Sequence, residues 1–421
     1  MPHYSSIILD TEIPVYGGLS LGRWQGKVVL VKGALPGERV EARIEEEKRD
    51  FSAASTLRVL SPSPDRREPR CSLFGLCGGC QMQYASYERQ VRIKEEVLQD
   101  TLRRLARREI DLFPSLVDGH PWHYRYRGQF KAEGGMIGFY REKTREVVDA
   151  EACPLMADPV NSGLSAIRAV VKKGKVPGSG EIREIHLSCG EVAVVLLKTR
   201  LAARRKKEAD VLAALFRDAG FSGVVVEGEE RGLMHYGERF TSFSLEGLSY
   251  TVSPLSFFQS HWRLNQKVVA FLKREAHPLQ GKTVLDLYAG AGNFSLPLAA
   301  EAETVIAVEE NHAAIEDGRR NAERNGIGNY LFLHSSAERA VVRDRVQFLI
   351  LDPPRLGLTG RVVEKVLAMM PERIAYVSCN PATLARDLRK LSEKYELESV
   401  RMIDFFPQTY HIESLTFLRL K

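Results

Sequence analysis

The chain has 421 residues, of which 44% are hydrophobic and 27% are charged, a composition typical of a globular protein with full-sized cores. Its length predicts two or three domains. The sequence contains no run of about 18 or more apolar residues, which argues against a membrane-spanning helix. The segment from Met1 to Asp10 lacks the features of a secretory signal. We therefore expect a cytoplasmic protein, and nothing in the sequence indicates an obligate protein partner.

The positive charges are clustered along the chain. The formal net charge is only +6 at pH 7, but three groups of cations lie in the first half of the sequence. They comprise Arg66, Arg67 and Arg70; Arg103, Arg104, Arg107 and Arg108; and Arg200, Arg204, Arg205, Lys206 and Lys207. Such clusters either neutralise the phosphates of a nucleic acid or form solvated helix faces. Their concentration in one half of the chain favours a polyanionic partner.

Residues 1–60 are composed of short strands separated by turn residues. Apolar or alternating segments occur at residues 7–9, 28–32, 39–44 and 53–59, with glycines and a Pro-Gly pair between them. Strands of this length and spacing predict a small β-barrel of the oligonucleotide-binding type. The Ser-Pro-Ser-Pro-Asp segment at residues 61–65 then predicts a linker.

The pattern of apolar and polar residues changes near residue 250. A helical pattern at residues 87–108 precedes a mixed region with strands near 184–187 and 192–198, which predicts a central α+β domain. Beyond residue 250, apolar segments alternate with helical ones. The apolar segments are residues 283–287, 304–308, 348–351 and 374–377, and the helical segments are 294–302, 313–325 and 363–370. This alternation predicts an α/β domain with a largely parallel sheet, whose ligands bind at the carboxyl ends of the strands.

A glycine-rich turn follows the first of these strands. Residues 284–294 read Val-Leu-Asp-Leu-Tyr-Ala-Gly-Ala-Gly-Asn-Phe, and glycines in such a turn let the backbone approach a ligand closely. The next strand ends at Glu309, whose carboxylate can accept hydrogen bonds from ribose hydroxyls. Ser295 occupies the third position of the dinucleotide fingerprint, which argues against NAD. The pattern resembles the first two motifs of class I (Rossmann-like) methyltransferases, although a purely structural turn in another α/β enzyme fits the same residues.

Two later strands end in polar residues. One continues into the sequence Asp-Pro-Pro-Arg at residues 352–355, a rigid turn whose carboxylate could contact a cofactor or the edge of a base. The other continues into Ser-Cys-Asn-Pro at residues 378–381, which places the thiol of Cys379 at the same edge of the sheet. Cationic groups and helix N-termini at such a position favour a thiolate. Taken alone, however, a cysteine in a sheet is more often a core residue.

Together these motifs resemble one family. The segments at residues 378–381, 386–387 and 406–413 are closely similar to those of the RumA/TrmA family of RNA uracil-5 methyltransferases. The resemblance extends to Phe258-Gln259, to residues 352–355 and to four cysteines, and so covers nearly the whole chain. It implies that Cys379 is the nucleophile and that Glu413 is the general base. It also implies that S-adenosylmethionine is the cofactor, with contacts at Gln259, Tyr288, Asn293, Glu309 and Asp352.

The chemistry of this reaction explains why these residue types are needed. Carbon 5 of uracil is too weakly nucleophilic to attack a methyl sulfonium group directly. Addition of a thiolate to carbon 6 concentrates electron density on carbon 5. After methyl transfer, a base must remove the proton from carbon 5 so that the thiolate can leave. The target nucleotide must be flipped or unpaired, because its base cannot be reached inside a stack.

Four cysteines form a second candidate site. Cys71, Cys77, Cys80 and Cys153 include a Cys-x-x-Cys core, and four thiolates of this kind hold either zinc or an iron–sulfur cluster. The family resemblance points to the [4Fe–4S] cluster of the RumA branch, with zinc or unmetallated thiols as the alternatives. Cys189 follows a strand and is expected to be a core residue.

The resemblance also implies a domain division and an RNA partner. The Gly-Gly pair at residues 17–18 and the turn at residues 35–38 resemble those of a TRAM domain, a barrel of the kind that binds nucleic-acid backbones and stacks bases. The expected domains are a TRAM-like barrel at residues 1–62, a central iron–sulfur and RNA-binding domain at 63–85 and 119–250, and a methyltransferase domain at 86–118 and 251–421. The expected substrate is 23S ribosomal RNA, with transfer RNA as the alternative.

Other functions fit the motifs less well. A cytosine-5 RNA methyltransferase would place a cysteine after Pro354, where this chain has Arg355. A methyltransferase acting on the amino group of a base would have no use for Cys379 together with Glu413. A non-catalytic RNA-binding or iron–sulfur assembly protein would need neither of these side chains.

Overall fold

The N-terminal strands close into a barrel. The computed structural model describes residues 6–107, 109–172, 178–202, 205–230 and 232–421. The barrel strands are β1 (Ser6–Val15), β2 (Leu19–Trp24), β3 (Lys27–Lys32), β4 (Arg39–Glu47) and β5 (Phe51–Ser61). They pair in the closed order β1-β2-β3-β5-β4. Buried and exposed residues alternate along β1 and β4, as expected for strands with one face against a core. The predicted small barrel is confirmed.

Arg66, a cation of the first predicted basic cluster, forms an ion pair with a residue of this barrel instead of facing solvent. Glu38 is fully buried, and the Arg66 guanidinium donates two hydrogen bonds to its carboxylate, at 2.6 and 2.7 Å. The pair ties the chain beyond β5 to the turn before β4. Arg66 is therefore not free to neutralise a phosphate. Arg108, where the predicted first helix was expected to end, and Arg204 lie outside the described residues.

A central region follows the barrel. Its elements are α1 (Tyr87–Ala106), β6 (Phe113–Leu116), β7 (Arg127–Glu133), β8 (Met136–Tyr140), β9 (Val147–Asp149), α2 (Asp158–Lys172), β10 (Ile182–Cys189), β11 (Ala193–Thr199), α3 (Lys206–Asp218), β12 (Gly223–Glu227), β13 (Leu233–Gly237), β14 (Thr241–Leu245) and β15 (Leu248–Val252). A mixed sheet has the order β13-β12-β11-β10-β7-β8-β9, and α2 and α3 pack their apolar residues into its core. Cys189 is buried in that core, as predicted.

The last part of the chain forms an α/β domain. Its elements are α4 (Trp262–Ala276), β16 (Thr283–Leu287), β17 (Thr304–Glu309), α5 (His312–Arg324), β18 (Tyr330–His334), β19 (Phe348–Leu351), α6 (Gly360–Met369), β20 (Arg373–Ser378), α7 (Pro381–Leu391), β21 (Tyr395–Ile403) and β22 (Glu413–Leu420). The sheet order is β18-β17-β16-β19-β20-β22-β21-β6, with β16 to β20 parallel and β22 antiparallel to β20. Apolar residues of β16 and β19 enter separate cores on the two faces of the sheet. The predicted parallel sheet, buried on both faces, is confirmed.

One predicted helix is wrong. Residues 294–302 form turns around a short 3₁₀ segment, Leu296–Leu298, instead of an α-helix. Pro297 lies in the middle of this stretch. It has no N–H to donate, and its ring disfavours the carbonyl position that a helix requires four residues earlier. No helix in the described ranges has the length and apolar composition that crossing a membrane requires.

The helix α1 anchors the segment that leads into β22. Lys94 and Asp404 form an ion pair of 2.7 Å in which both side chains are almost completely buried. Lys94 Nζ also donates to the Phe406 carbonyl at 2.9 Å. Gln90 and Gln408 exchange two hydrogen bonds, each 2.9 Å long. Residues 404–408 are thereby fixed against α1, although α1 lies more than 300 positions earlier in the sequence.

We expect Lys94→Met to destabilise the fold strongly. Removing one partner leaves the Asp404 carboxylate buried without its cation, which costs about 3–5 kcal/mol in comparable cases. Urea denaturation measures this loss. The double variant Lys94→Met/Asp404→Leu is the control, because it removes both charges, and it should recover much of the stability. Equal stability of Lys94→Met and the unsubstituted protein would show that the pair does not anchor the segment.

Candidate active site

A cavity of about 720 Å³ lies at the carboxyl ends of β16, β17, β19 and β20. Its size and position are those of a ligand site in an α/β domain. All seven side chains predicted for catalysis and cofactor binding line it, namely Gln259, Tyr288, Asn293, Glu309, Asp352, Cys379 and Glu413. Residues up to 154 positions apart in the sequence thus meet around one space.

The glycine turn after β16 shapes one wall of the cavity. Tyr288, Gly290 and Gly292 have φ angles of 68°, 56° and 85°, a region in which only glycine is unstrained. The Tyr288 and Ala289 amides both donate to the Val308 carbonyl, at 3.0 and 3.1 Å. A Cβ at Gly292 would lie 2.8 Å from the Tyr330 hydroxyl. The turn is therefore held tightly against the sheet, and its backbone borders the cavity.

Polar groups in this wall are held in fixed orientations. One Glu309 oxygen accepts from the Gly290 amide at 2.9 Å, and the other accepts from the amides of Glu310 and Asn311 at 2.9 and 2.7 Å. Asn293 and Asn265 exchange amide hydrogen bonds of 2.7 and 3.0 Å. A carboxylate with two oxygens retains further lone pairs, so Glu309 can still accept hydroxyl donors from a ligand.

Cys379 reaches the cavity because β20 ends one residue before it. Asn380 then caps α7, with its side-chain oxygen accepting from the Ala382 amide at 3.0 Å. Burial, Glu413 and Asp352 raise the pKa of the Cys379 thiol to about 12, and Arg355 only partly opposes them. Arg355 thus favours the thiolate, but burial and the two carboxyl groups outweigh this single guanidinium.

The pKa values of the carboxyl groups in and behind the cavity are raised as well. Burial and Asp352 raise the pKa of Glu413, the first residue of β22, to about 8. Burial and Glu309 raise the pKa of Asp352 to about 7. Asp286 lies behind the cavity, hydrogen-bonded to Ser295 at 2.5 Å, and burial raises its pKa to about 8. The cavity is therefore an electronegative site that a cation would stabilise.

Three residues near Cys379 were not assigned a role from the sequence. Arg355, Phe406 and His411 line the same cavity, and an Arg355 guanidinium nitrogen lies 3.3 Å from Nδ1 of His411. Burial and Arg355 lower the pKa of His411 to about 4, so this imidazole is neutral near pH 7. All three lie inside the recognised segments 352–355 and 406–413, which is the signal that could have identified them.

Arg386 and Asp387, which form the recognised segment 386–387, support the loop after Asp352. Asp387 is buried and accepts hydrogen bonds from the Leu358 amide and the Tyr376 hydroxyl, both at 2.8 Å. Arg386 donates to Asp387 at 2.9 Å and to the carbonyls of residues 356 and 358. The pair thus fixes the loop that carries Arg355 instead of touching the cavity.

The four predicted metal ligands line a separate, small cavity. Cys71, Cys77, Cys80 and Cys153 border a space of about 60 Å³, together with Arg125. Burial raises the pKa of Cys80 to about 12, and the neighbouring cysteines add to the effect. Within the described ranges, no three His, Cys, Asp or Glu side chains are grouped tightly enough to hold a metal ion.

Comparisons with known proteins show which family the chain resembles. The family model described as tRNA (Uracil-5-)-methyltransferase matches residues 86–421, and the TRAM domain model matches residues 8–57. An uncharacterized RNA methyltransferase of Aquifex aeolicus is 34% identical over 98% of both chains. The 23S rRNA (uracil(1939)-C(5))-methyltransferase RlmD of Shewanella amazonensis is 33% identical, over 96% of this chain and 93% of that protein.

A solved structure is similar over the whole chain. The Pyrococcus abyssi tRNA (uracil-54, C5)-methyltransferase, in complex with S-adenosyl-L-homocysteine, superimposes with a TM-score of 0.75 at 25% sequence identity, covering 98% of this chain and 100% of that one. The match includes the N-terminal barrel as well as the α/β domain. The chain therefore belongs to the RumA/TrmA family of S-adenosylmethionine-dependent RNA uracil-5 methyltransferases.

Proposed function

We propose that this protein methylates carbon 5 of a uridine in RNA through a transient bond between Cys379 and carbon 6 of the base. One observation supports the proposal most strongly: Cys379 and Glu413 line the same cavity as the five residues proposed to hold the cofactor. A nucleophile, a base and a methyl donor can then act on one pyrimidine without moving it between sites. S-adenosylmethionine supplies an electrophilic methyl group and a positive charge when it is bound.

The proposed steps begin with the thiol. Loss of its proton lets the Cys379 sulfur bond to carbon 6, and the electron pair of the 5,6 double bond moves into an enolate. Carbon 5 then bonds to the methyl group as the methyl–sulfur bond of S-adenosylmethionine breaks, and S-adenosylhomocysteine is the leaving group. Glu413 removes the remaining proton from carbon 5, the double bond re-forms and the sulfur leaves carbon 6 as a thiolate. Because burial and Asp352 raise the pKa of Glu413 to about 8, this carboxyl group must lose its own proton before it can act as the base.

We expect the unliganded protein to lose stability as the pH rises. Carboxyl groups with raised pKa values bind more protons in the folded than in the unfolded state. Their contribution to the free energy of unfolding is therefore fully present below about pH 4 and is lost progressively as the pH rises to about 8. A cation bound in the cavity favours the ionised carboxylates and so opposes this loss of stability. The rise in Tm on adding S-adenosylmethionine should therefore grow over this pH range, and should grow more than with S-adenosylhomocysteine, whose sulfur is neutral. Equal pH dependence with both ligands would contradict the assignment.

We propose 23S ribosomal RNA as the substrate. The similarity to RlmD proteins over nearly the whole chain favours it, whereas the structural match to a tRNA (uracil-54, C5)-methyltransferase keeps transfer RNA as the second candidate. Mapping 5-methyluridine in both RNAs from cells with and without this gene tests the proposal. Loss of one modified position in 23S ribosomal RNA is the expected result, and loss in transfer RNA alone would select the alternative. Both RNAs are cytoplasmic, which is where we propose that the protein acts.

We also propose that Cys71, Cys77, Cys80 and Cys153 hold a [4Fe–4S] cluster. Cys77 Sγ accepts a hydrogen bond from the Gly79 amide at 3.4 Å, and Arg125 favours the ionised form of Cys77, Cys80 and Cys153, as a thiolate-bound cluster requires. Anaerobically purified protein should contain about four iron atoms and acid-labile sulfide per chain. Cys80→Ala should lose both, and Cys189→Ala should keep them. Stoichiometric zinc without sulfide would refute the cluster.

The proposed domains keep the boundaries that the sequence predicts, with one adjustment. The barrel formed by β1 to β5 and the sheet formed by β7 to β13 have separate cores. α1 and β6 lie with the α/β domain, since β6 pairs with β21. The hairpin β14–β15 packs Phe243 and Tyr250 against Trp262 of α4, so we place the end of the central domain near residue 240.

A further inference from the structure

Tyr16 brings the barrel against the C-terminal segment that borders the large cavity. It lies in the turn between β1 and β2, where Gly17 and Gly18 have φ angles of 100° and 73°. The phenol ring packs edge-on against Tyr410, with ring centroids 5.6 Å apart. A Cβ at Gly18 would lie 3.4 Å from the Cβ of Tyr410, so glycine lets the turn sit directly against the C-terminal segment. Tyr16 nevertheless remains 39% exposed.

A row of rings leads from Tyr16 to the reacting residues. The Tyr410 and His411 ring centroids are 4.5 Å apart, and those of His411 and Phe406 are 5.6 Å apart. His411 and Phe406 line the cavity together with Cys379. Burial, Tyr410 and, more weakly, Cys379 and Glu413 raise the pKa of Tyr16, so its phenol lies within electrostatic range of the reacting groups. The barrel and the catalytic site therefore share one surface.

The chemistry of this surface suits unpaired RNA. Partly exposed aromatic rings stack on bases irrespective of their sequence. Arg355, which is exposed beside His411, is suited to a phosphate oxygen. Tyr16 and Tyr410 take no part in the proposed methyl transfer, and their phenols have no hydrogen-bonding role in it.

We propose that Tyr16 and Tyr410 form a nucleobase-stacking site for an unpaired base next to the target uridine. The inference rests on the proposed function, because extruding the target leaves its neighbours without a stacking partner. Rings at the segment that borders the cavity compensate for that loss. The barrel then positions the substrate strand at the catalytic site itself, in addition to any contact with the RNA backbone further away.

Steady-state methylation of an unmodified 23S ribosomal RNA transcript tests the site. Tyr16→Ala is expected to raise the KM for RNA about 5- to 150-fold, the range measured for loss of one base–aromatic stack, while the KM for S-adenosylmethionine stays unchanged. Tyr16→Phe keeps the ring and should keep the wild-type KM. Leu57→Ala is the matched control, because it removes a side chain that is 51% exposed on the same barrel.

A second arm uses transcripts that lack one base beside the mapped uridine. If Tyr16 stacks on that base, removing the base and the ring together should cost no more than removing either alone. Additive losses, or a wild-type KM for Tyr16→Ala, would overturn the inference. Loss of S-adenosylhomocysteine binding in Tyr16→Ala would overturn it too, because the ring would then only brace the barrel. Failure of the wild-type protein to methylate any RNA would instead remove the proposed function, and this inference with it.

Discussion

Cys379→Ala is expected to abolish methyl transfer, with a fall in kcat of at least about 10,000-fold. Without the sulfur, carbon 5 of uracil stays too weakly nucleophilic to accept the methyl group, and among the described residues that line the cavity Cys379 has the only thiol. The substitution removes one atom from a partly open site, so the fold and the cofactor cavity should persist. Incorporation of labelled methyl groups into purified RNA measures the loss.

Two controls separate chemistry from folding in this variant. Cys379→Ala should bind S-adenosylhomocysteine with unchanged affinity, because Glu309 and the glycine turn are untouched. Cys189→Ala removes a buried thiol from the core of the central sheet that does not line the cavity, and should retain its activity. Activity within a few fold of wild type for Cys379→Ala would refute the nucleophile assignment, whereas loss of ligand binding would show that the side chain is structural.

Glu413→Gln should stop the reaction at a later stage. The amide is nearly isosteric but cannot accept the carbon 5 proton, so turnover is expected to fall about 100- to 10,000-fold. Addition and methyl transfer remain possible. The variant should therefore accumulate a methylated protein–RNA adduct that survives denaturing electrophoresis, whereas the wild type releases its product.

A matched carboxylate in the same cavity serves as the control for Glu413. Glu338 lines the cavity and accepts a hydrogen bond from Thr359 at 3.1 Å. Glu338→Gln should turn over normally without accumulating an adduct. If Glu413→Gln lost activity and formed no adduct, the carboxylate would act before or during addition to carbon 6 and would not be the base that completes the reaction.

Local patterns in the sequence predicted the barrel and the parallel sheet. Alternating burial along β1 and continuous burial along β19 are properties of single strands, so they are visible without tertiary contacts. The helix predicted at residues 294–302 was wrong, because Pro297 interrupts a helical pattern of apolar residues. Strand ends also indicated where Asp352 and Cys379 meet, because parallel strands present their carboxyl ends at the same edge.

Properties that depend on distant partners were not predictable in this way. Burial, Glu413 and Asp352 raise the pKa of Cys379, and all three influences arise only in the folded chain. The sequence placed Arg66 in a cluster of cations suited to phosphate, but its guanidinium instead donates to Glu38, which lies 28 positions earlier. The position of Tyr16 beside Tyr410 depends on how the barrel docks, which no local pattern encodes. The iron–sulfur cluster and the roles of the individual site residues stay predictions.

Trapping the covalent intermediate tests the central claim most directly. An RNA substrate with 5-fluorouridine at the mapped position has no proton on carbon 5, so the sulfur cannot leave after methyl transfer. The account predicts a stoichiometric adduct with wild-type protein in which mass spectrometry finds the nucleotide attached to Cys379, and no adduct with Cys379→Ala. Methylation of ordinary RNA with no trapped adduct, or attachment to a different residue, would contradict it.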